Sequence, residues 1–354
     1  MNGVCMQVIN IEGVGEVAVL DEFREICGSA AGLAVCDTGA RPSEVLRKLK
    51  EDYTVVLRGD YLHAQYLLFY VQKFEDGLGK ASELKRKRLY RLNYVARGDT
   101  FPMFANVPPE ADNFQEWLPE LIAGRDYLIP ARRYNRILTD ISRARDGIIL
   151  DGIDSRLYIR PTVYVPFDKS VPAMFMQFAG LIEGRRVLDM GTGTGVLAIL
   201  AAQVGAEAVT ACDININAVE CAEHNISVAG FDNISAVHSD LFDNISGLYD
   251  VIIFNAPWVM GAAKNLYELA IYDENYALVN KFIEKAPSCL DKGGVILLQY
   301  SDISQKNGNG SLDNLYGALA KNGLHIADKT SILRRNRLYG MMERVYIFAL
   351  RVRT

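Results

Sequence analysis

Hydrophobic residues occur along the chain in two patterns: short uninterrupted runs, and positions three or four residues apart. The arrangement of these patterns changes near residue 147. Two short apolar runs in the first hundred residues, 33–38 and 53–59, are typical of buried strands. Other stretches carry apolar side chains at three- and four-residue spacing, which predicts helices. They lie at residues 41–52, 60–74, 115–123 and 131–145. The pattern therefore predicts an α/β N-terminal domain over residues 1–146.

A basic segment interrupts this N-terminal part. Residues 80–98, KASELKRKRLYRLNYVARG, hold seven basic side chains against one acid, together with an apolar stripe. One interpretation is a surface helix with a solvated basic face, and the other is a patch that receives an acidic partner or phosphates. The three prolines of residues 101–114 predict a linker after it.

From residue 147 onward, strand-like and helical stretches alternate strictly. Residues 147–161 predict a hairpin or paired strands, and residues 169–184 predict a helix. Further strands are predicted at 186–191, 208–213, 234–240, 250–255, 294–301, 325–335 and 344–352. The last two are expected to pair as a hairpin, and the alternation predicts a doubly wound, mostly parallel sheet over residues 147–354.

Composition narrows the possible functions. The 354 residues carry a net charge of −5, which does not suggest a general nucleic-acid binder. The six cysteines form no CxxC pair and the histidines number four, so we expect reduced thiols, a cytoplasmic protein and no metal site. The first residues show no basic region followed by an apolar run, and no apolar stretch is long enough to cross a membrane.

A glycine-rich loop follows the first strand of the alternating region, in VLDMGTGTGVLAILAA at residues 187–202. Gly191, Gly193 and Gly195 allow close approach of a ligand to the backbone, and the following helix presents free N–H groups. Such a loop can be an ordinary strand-to-helix turn, or a dinucleotide site of the GxGxxA type. Against the dinucleotide, Asp189 just before the loop would face a pyrophosphate, whereas a carboxylate suits an ammonium or a sulfonium.

Two more acids stand at the ends of the next two predicted strands. Asp213 can accept the hydroxyls of a ribose, and Asp240 can accept the exocyclic amine of adenine, with the Leu241 backbone N–H bonding a ring nitrogen. Each acid alone could be a solvated loop residue or a helix cap. Because the carboxyl ends of parallel strands meet at one crevice, the combination favours a nucleoside site.

These motifs, with NAPW at residues 255–258, resemble in order and spacing the class I S-adenosylmethionine-dependent methyltransferases. The run from residue 191 to 225 is most similar to the release-factor glutamine and small-domain ribosomal RNA methyltransferases. The resemblance implies a Rossmann-like, seven-stranded sheet with an antiparallel last strand, and S-adenosylmethionine as cofactor. It places the methionine part on the Gly191–Gly195 loop near Asp189, the ribose on Asp213, and adenine on Asp240 and Leu241.

The same resemblance gives the tetrapeptide Asn255, Ala256, Pro257 and Trp258 a substrate role. In that family an Asn-Pro-Pro-aromatic motif binds a planar nitrogen: the Asn255 side-chain oxygen and the residue-256 carbonyl can accept its two hydrogens. Pro257 holds the turn and Trp258 offers a stacking face. Ala256 in place of proline and Trp258 in place of tyrosine or phenylalanine are departures, and Trp258 as a core residue is the alternative.

The sequence therefore predicts a methyltransferase acting on a planar amine or amide nitrogen of a small molecule or a protein side chain. The alternatives are methylation of an RNA base and, more distantly, an NAD-dependent oxidoreductase. Phe167 and Asp168 lie where the family has a loop over the cofactor, but its usual Arg-Pro-Glu signature is absent.

Overall fold

Backbone contacts divide the chain into two compact units, Met1–Arg143 and Ala144–Thr354. The domain boundary expected at residue 147 stays a prediction. The computed structural model describes residues 6–12, 14–20, 32–37, 39–76, 91–97, 104–105, 125–150, 152–153, 155–164, 170–263, 266–336 and 341–353.

The first unit is built on a seven-stranded mixed sheet in the order β1-β2-β7-β5-β4-β3, with β6 paired to β4 outside this path. Its strands are β1 (Met6–Ile11), β2 (Gly15–Leu20), β3 (Gly32–Asp37), β4 (Tyr53–Asp60), β5 (Leu92–Arg97), β6 (Phe104–Ala105) and β7 (Asp126–Pro130). The helices that begin in this unit are α1 (Pro42–Lys50), α2 (Tyr61–Asp76) and α3 (Ala131–Asp146). The expected α/β character is confirmed, while β1, β2 and β7 had no counterpart in the sequence prediction.

The basic segment departs from its predicted helix. Leu92–Arg97 form β5, which pairs parallel with β4 and antiparallel with β7. Residues 91–95 are all buried, and Arg91 pairs with Asp52 instead of facing solvent. A strand buried on both faces has no strict alternation, so its apolar residues can mimic helical spacing. Residues 80–90, 115–123 and most of 101–114 lie outside the described residues.

The second unit contains a seven-stranded sheet in the order β10-β9-β8-β11-β14-β16-β15. Its strands are β8 (Arg186–Met190), β9 (Ala208–Asp213), β10 (Ile234–His238), β11 (Tyr249–Asn255), β14 (Leu290–Ser301), β15 (Leu324–Arg335) and β16 (Met342–Val352). All pairings are parallel except those of β16, which runs antiparallel to β14 and β15. The doubly wound sheet and the terminal hairpin are therefore confirmed.

Helices and short segments connect these strands. They are α4 (Ser170–Met176), α5 (Ala179–Ile182), α6 (Val196–Gln203), α7 (Ile216–Ala229), α8 (Leu266–Leu269), α9 (Ala277–Lys285), α10 (Ile303–Lys306) and α11 (Leu312–Lys321), with a two-stranded sheet of β12 (Val259–Met260) and β13 (Tyr272–Asp273). The helix predicted over 169–184 is thus two helices. Among the described residues of 147–161, the predicted pairing is represented by one antiparallel bridge, between Ile148 and Leu157. Among the described residues, no helix is both long enough and apolar enough to cross a membrane.

Two apolar layers sandwich the second sheet. One contains Val187, Ile253 and Leu297 together with the buried residues of α6, and the other contains Leu188, Phe254 and Leu298. Successive residues of a strand point to opposite faces, so both layers draw on the same strands. Helix α6 is buried from Val196 to Ala202, which holds the loop before it firmly against the sheet.

Candidate active site

The strand register brings three of the predicted residues to one face of the second sheet. Asp189 is paired with Ile253 on one side and with Ala211 on the other. Asn255 and Asp213 follow these partners by two residues, and alternate residues of a strand share a face. The three side chains therefore stand on the same face at the carboxyl edge of neighbouring strands β9, β8 and β11, where open α/β sheets bind ligands.

The glycine loop between β8 and α6 depends on a left-handed backbone. Gly191, Gly193 and Gly195 have φ angles of 65°, 56° and 83°. At Gly195 a Cβ atom would also lie 3.2 Å from the Cα and Cβ of Ala222 in α7. Both the backbone conformation and the close approach of α7 thus require glycine at this position.

Asp189 is a buried residue whose two carboxyl oxygens differ in their hydrogen bonding. Its side chain is 1% exposed, and Oδ2 accepts a hydrogen bond of 2.6 Å from the Thr192 hydroxyl. Oδ1 is buried and has no hydrogen-bond partner within the described part of the chain. Burial raises the pKa of Asp189 to about 7, against the lowering effect of the Thr192 hydrogen bond. A cationic group bound at Oδ1 would stabilise the carboxylate form.

Asp213 links the end of β9 to the glycine loop by a hydrogen bond. Its Oδ2 accepts from the Gly193 backbone N–H at 3.0 Å, and its Oδ1 accepts from the Asn215 N–H at 2.9 Å. Burial raises the pKa of Asp213, and these backbone hydrogen bonds oppose the rise. Each carboxylate oxygen keeps a second lone pair, so Asp213 can accept ribose hydroxyls in addition to shaping the loop.

Asp240 and Leu241 lie in the loop after β10. The Asp240 side chain is 44% exposed and pairs with the Lys281 ammonium of α9 at 3.2 Å. Leu241 is buried and has a φ of 50°, and its carbonyl accepts from the Ser239 hydroxyl at 2.7 Å. This bond fixes the loop backbone next to the carboxyl edge. The sequence offered no signal for Lys281, because it is distant along the chain.

Asn255 is the last residue of β11, and its side chain is partly exposed. Oδ1 is buried without a hydrogen-bond partner among the residues that the structure describes. Ala256 and Pro257 are also buried, whereas Trp258 is partly exposed. The Trp258 carbonyl accepts from the Ser304 hydroxyl at 2.9 Å, which ties the end of the tetrapeptide to α10.

The ring of Trp258 has a cationic neighbour that the sequence did not predict. The Arg334 guanidinium lies over the indole, 5.7 Å from its centroid, and its Nε donates to Glu343 Oε1 at 2.9 Å. Glu343 is fully buried, and its Oε2 accepts from the Ser301 hydroxyl at 2.6 Å. The four side chains form a chain of contacts, here called the Trp258–Ser301 network, which holds one region of the indole surface.

Phe167 and Asp168, the two loop candidates, lie outside the described residues, so their role stays a prediction. The other predicted site residues are all described. The structure groups Asp189, Asp213 and Asn255 by register, and it adds Thr192 and Lys281 as direct partners of the predicted acids.

Comparison with known proteins agrees with this architecture. Residues 166–317 match the family model described as "Methyltransferase small domain". A Methanocaldococcus jannaschii protein, provisionally named a protein N5-glutamine methyltransferase, is 31% identical over 44% of this chain and 80% of its own length. A ribosomal protein L11 methyltransferase from Thermotoga maritima is 29% identical over 52% of this chain and 69% of its own length.

Two solved structures show partial similarity. A ribosomal protein L11 methylase from Lactobacillus delbrueckii subsp. bulgaricus has 20% identity and a TM-score of 0.41, over 59% of this chain and 91% of that one. A tRNA m1G37 methyltransferase from M. jannaschii has 21% identity and a TM-score of 0.42, over 58% and 56% of the two chains.

The chain belongs to the class I S-adenosylmethionine-dependent methyltransferases. It is thus a methyl-transferring enzyme with a Rossmann-like fold, and membership of this class implies the use of S-adenosylmethionine. The oxidoreductase alternative is set aside, because the matched family and the named relatives are methyltransferases.

Proposed function

We propose that this enzyme methylates a planar nitrogen, the amide or amine of a protein side chain or of a small molecule. The observation that carries the proposal is the buried, unpartnered Oδ1 of Asn255 at the carboxyl end of β11. A buried acceptor without a donor is costly, so such an atom is expected to be satisfied by a bound N–H.

The residues around the glycine loop fit the donor. Asp189 has one uncommitted buried oxygen for the ammonium of the methionine part, and the loop at Gly195 leaves no room for a side chain. Asp213 would hold the ribose, and Asp240 with the Leu241 N–H would hold adenine. When bound, S-adenosylmethionine supplies an electrophilic methyl group on a sulfonium.

The tetrapeptide orients the acceptor. The Asn255 Oδ1 and the Ala256 carbonyl accept the two hydrogens of the nitrogen, which directs its lone pair and stabilises the positive charge that develops on it. Methyl transfer from a sulfonium is an in-line displacement, so correct positioning supplies much of the rate. Pro257 restricts the backbone that carries the Ala256 carbonyl, and the exposed part of the Trp258 ring packs against the planar group.

A protein or small-molecule acceptor suits the observations better than RNA. The relative with 80% of its length matched is named for a protein glutamine. The net charge of −5 also disfavours a broad phosphate-binding surface. We therefore propose an amide or amine of a protein or small molecule, and not an RNA base, as the methyl acceptor.

The test supplies S-adenosylmethionine with a tritiated methyl group to cell extract separated into protein, RNA and small molecules. We expect label in protein or small molecules, bound to nitrogen; acid hydrolysis would release label on a side-chain amide as methylamine. Label confined to RNA would refute the proposed acceptor class.

A pair of asparagine variants tests the role of Asn255. Asn255→Ala should lower the labelling rate about 100-fold, the size typical of losing one such hydrogen-bonding group, with unchanged binding of S-adenosylhomocysteine. Asn322→Ala is the matched control, because within the described part of the chain the Asn322 side-chain amide donates to the Ala318 carbonyl of α11, outside the predicted site. Equal labelling by both variants would show that Asn255 does not bind the acceptor.

A further inference from the structure

Gln299, a residue outside the predicted motifs, carries a second unsatisfied carboxamide. It lies in β14 and is 0% exposed. Neither its Nε2 nor its Oε1 has a hydrogen-bond partner among the described residues. An ordinary buried glutamine would be bonded to the backbone or to another side chain, so this position calls for an explanation.

The strand register places Gln299 directly beside Asn255. The two residues are paired in the parallel ladder between β11 and β14. Paired residues of neighbouring strands share a face and lie about 5 Å apart. Two carboxamides with unpaired buried atoms therefore stand side by side, on the face that also carries Asp189 and Asp213.

Three neighbours of Gln299, along β14 and across to β16, offer it no free polar group. Leu297, two residues earlier on the same face of β14, is buried in the apolar layer. The antiparallel partner of Gln299 in β16 is Ile347. Ser301, two residues later, is committed to Glu343 in the Trp258–Ser301 network. Asn255, by contrast, is a register neighbour of Gln299 that itself carries an unpartnered polar atom in the described chain.

The two sides of the acceptor need different groups. Asn255 Oδ1 and the Ala256 carbonyl can only accept hydrogen bonds, so they recognise the N–H atoms of the acceptor. A carboxamide acceptor also has a carbonyl oxygen next to its nitrogen, and this oxygen needs a donor when it is buried. The Nε2 of Gln299 is a donor without a partner in the described chain.

We propose that Gln299 is a second acceptor-binding residue, whose Nε2 donates to the oxygen beside the nitrogen that Asn255 holds. This inference rests on the proposed function, and it adds a specificity-determining residue supplied by β14. It explains why a fully buried glutamine is kept unpaired at the carboxyl edge of the sheet. The inference also predicts that removing the Gln299 carboxamide raises the stability of the fold but slows methyl transfer.

The experiment compares Gln299→Met and Gln299→Glu with the wild type, using tritiated S-adenosylmethionine and the extract fraction that the wild type labels. Both variants should label it at least about tenfold more slowly, because neither supplies the neutral amide donor. Binding of S-adenosylhomocysteine should stay within about twofold. Gln299→Met should also raise the Tm by about 2–4 °C, since an apolar group of similar shape replaces an unpaired amide.

Leu297→Met is the matched control, a change of similar size on the same face of β14. It should leave both labelling and binding of S-adenosylhomocysteine unchanged. If Gln299→Met labels within about twofold of the wild type, the inference is wrong whatever its Tm. If both Gln299 variants lose S-adenosylhomocysteine binding and their Tm falls, Gln299 supports the fold and the inference is also wrong. If the wild type itself places no label on nitrogen, the proposed function fails first, before any variant is compared.

Discussion

Removing the charge of Asp189 should abolish most of the pH dependence of S-adenosylhomocysteine binding. Asp189 is proposed to face the ammonium of the ligand, and only the carboxylate form attracts a cation. Because burial raises the pKa of Asp189 to about 7, the ligand-free enzyme holds a proton there at mildly acidic pH. Binding must then release that proton, and the affinity falls as the pH falls.

The magnitude follows from the raised pKa. With a value of about 7 in the free enzyme, the affinity should be about 25-fold weaker at pH 5.5 than at pH 7.5, approaching tenfold per pH unit. The stability of the ligand-free enzyme should change in the opposite direction. The folded-state pKa lies above the ordinary aspartate value of 3.8, so the folded protein retains the proton between about pH 4 and pH 7. The Asp189 contribution to the free energy of unfolding therefore decreases as the pH rises, by about 2–3 kcal/mol between pH 5 and pH 8.

The assay is isothermal titration of S-adenosylhomocysteine into wild type and Asp189→Asn across this pH range, with urea unfolding of the ligand-free proteins at about pH 5 and pH 8. Asp213 also has a raised pKa, so the difference between the two proteins isolates Asp189. Asp240→Asn is the matched control, because its carboxylate is 44% exposed and paired with Lys281. That control should change the Kd by the same factor at every pH.

Two results would refute this reasoning. Parallel Kd profiles for wild type and Asp189→Asn would show that Asp189 does not face the ligand cation. A difference in unfolding free energy that stays constant between pH 5 and pH 8 would show that its pKa is not raised by burial.

The remaining predictions concern the support of the site. Gly195→Ala should destabilise the enzyme by about 2 kcal/mol or more, and by more than Gly230→Ala. Both glycines have positive φ, but only at Gly195 would the added Cβ lie 3.2 Å from Ala222, whereas at Gly230 it would meet nothing within 4 Å. Urea unfolding measures the difference, and equal losses would contradict the role of the close approach. Arg334→Met should cost about 3–5 kcal/mol by leaving the fully buried Glu343 without its cation. Glu343→Gln in the same background should recover much of that loss, and a failure to recover it would argue that Arg334 acts mainly by packing.

The alternation of strands and helices in the second unit could be predicted from sequence, because the local sequence patterns there all indicate the same elements. Short β-rich runs alternate with helical spacing and glycine turns, and every strand predicted between residues 186 and 352 is present. The acids at the ends of β8 and β9 could be placed for the same reason, since parallel strands bring their carboxyl ends to one edge.

The first unit was harder to predict from local patterns. Its sheet mixes parallel and antiparallel pairs, and residues 91–95 are all buried, the polar Arg91 and Asn93 included, so residue type there does not report which side is buried. The burial of Arg91 against Asp52 depends on a partner 39 residues away. No local pattern contains that pairing.

The sequence by itself determined the alternating sheet, the glycine loop and the residue types at the carboxyl edge, because periodicity and turn chemistry act over a few residues. Only the tertiary structure decided which polar atoms at that edge are satisfied. Asp213 proved to be bonded to the Gly193 backbone, whereas Asp189 and Asn255 each keep a buried oxygen without a partner in the described chain. Gln299 stands beside Asn255 through strand register alone, 44 residues farther along the chain. Hydrogen-bond satisfaction depends on contacts between distant segments, and those contacts exist only once the chain has folded.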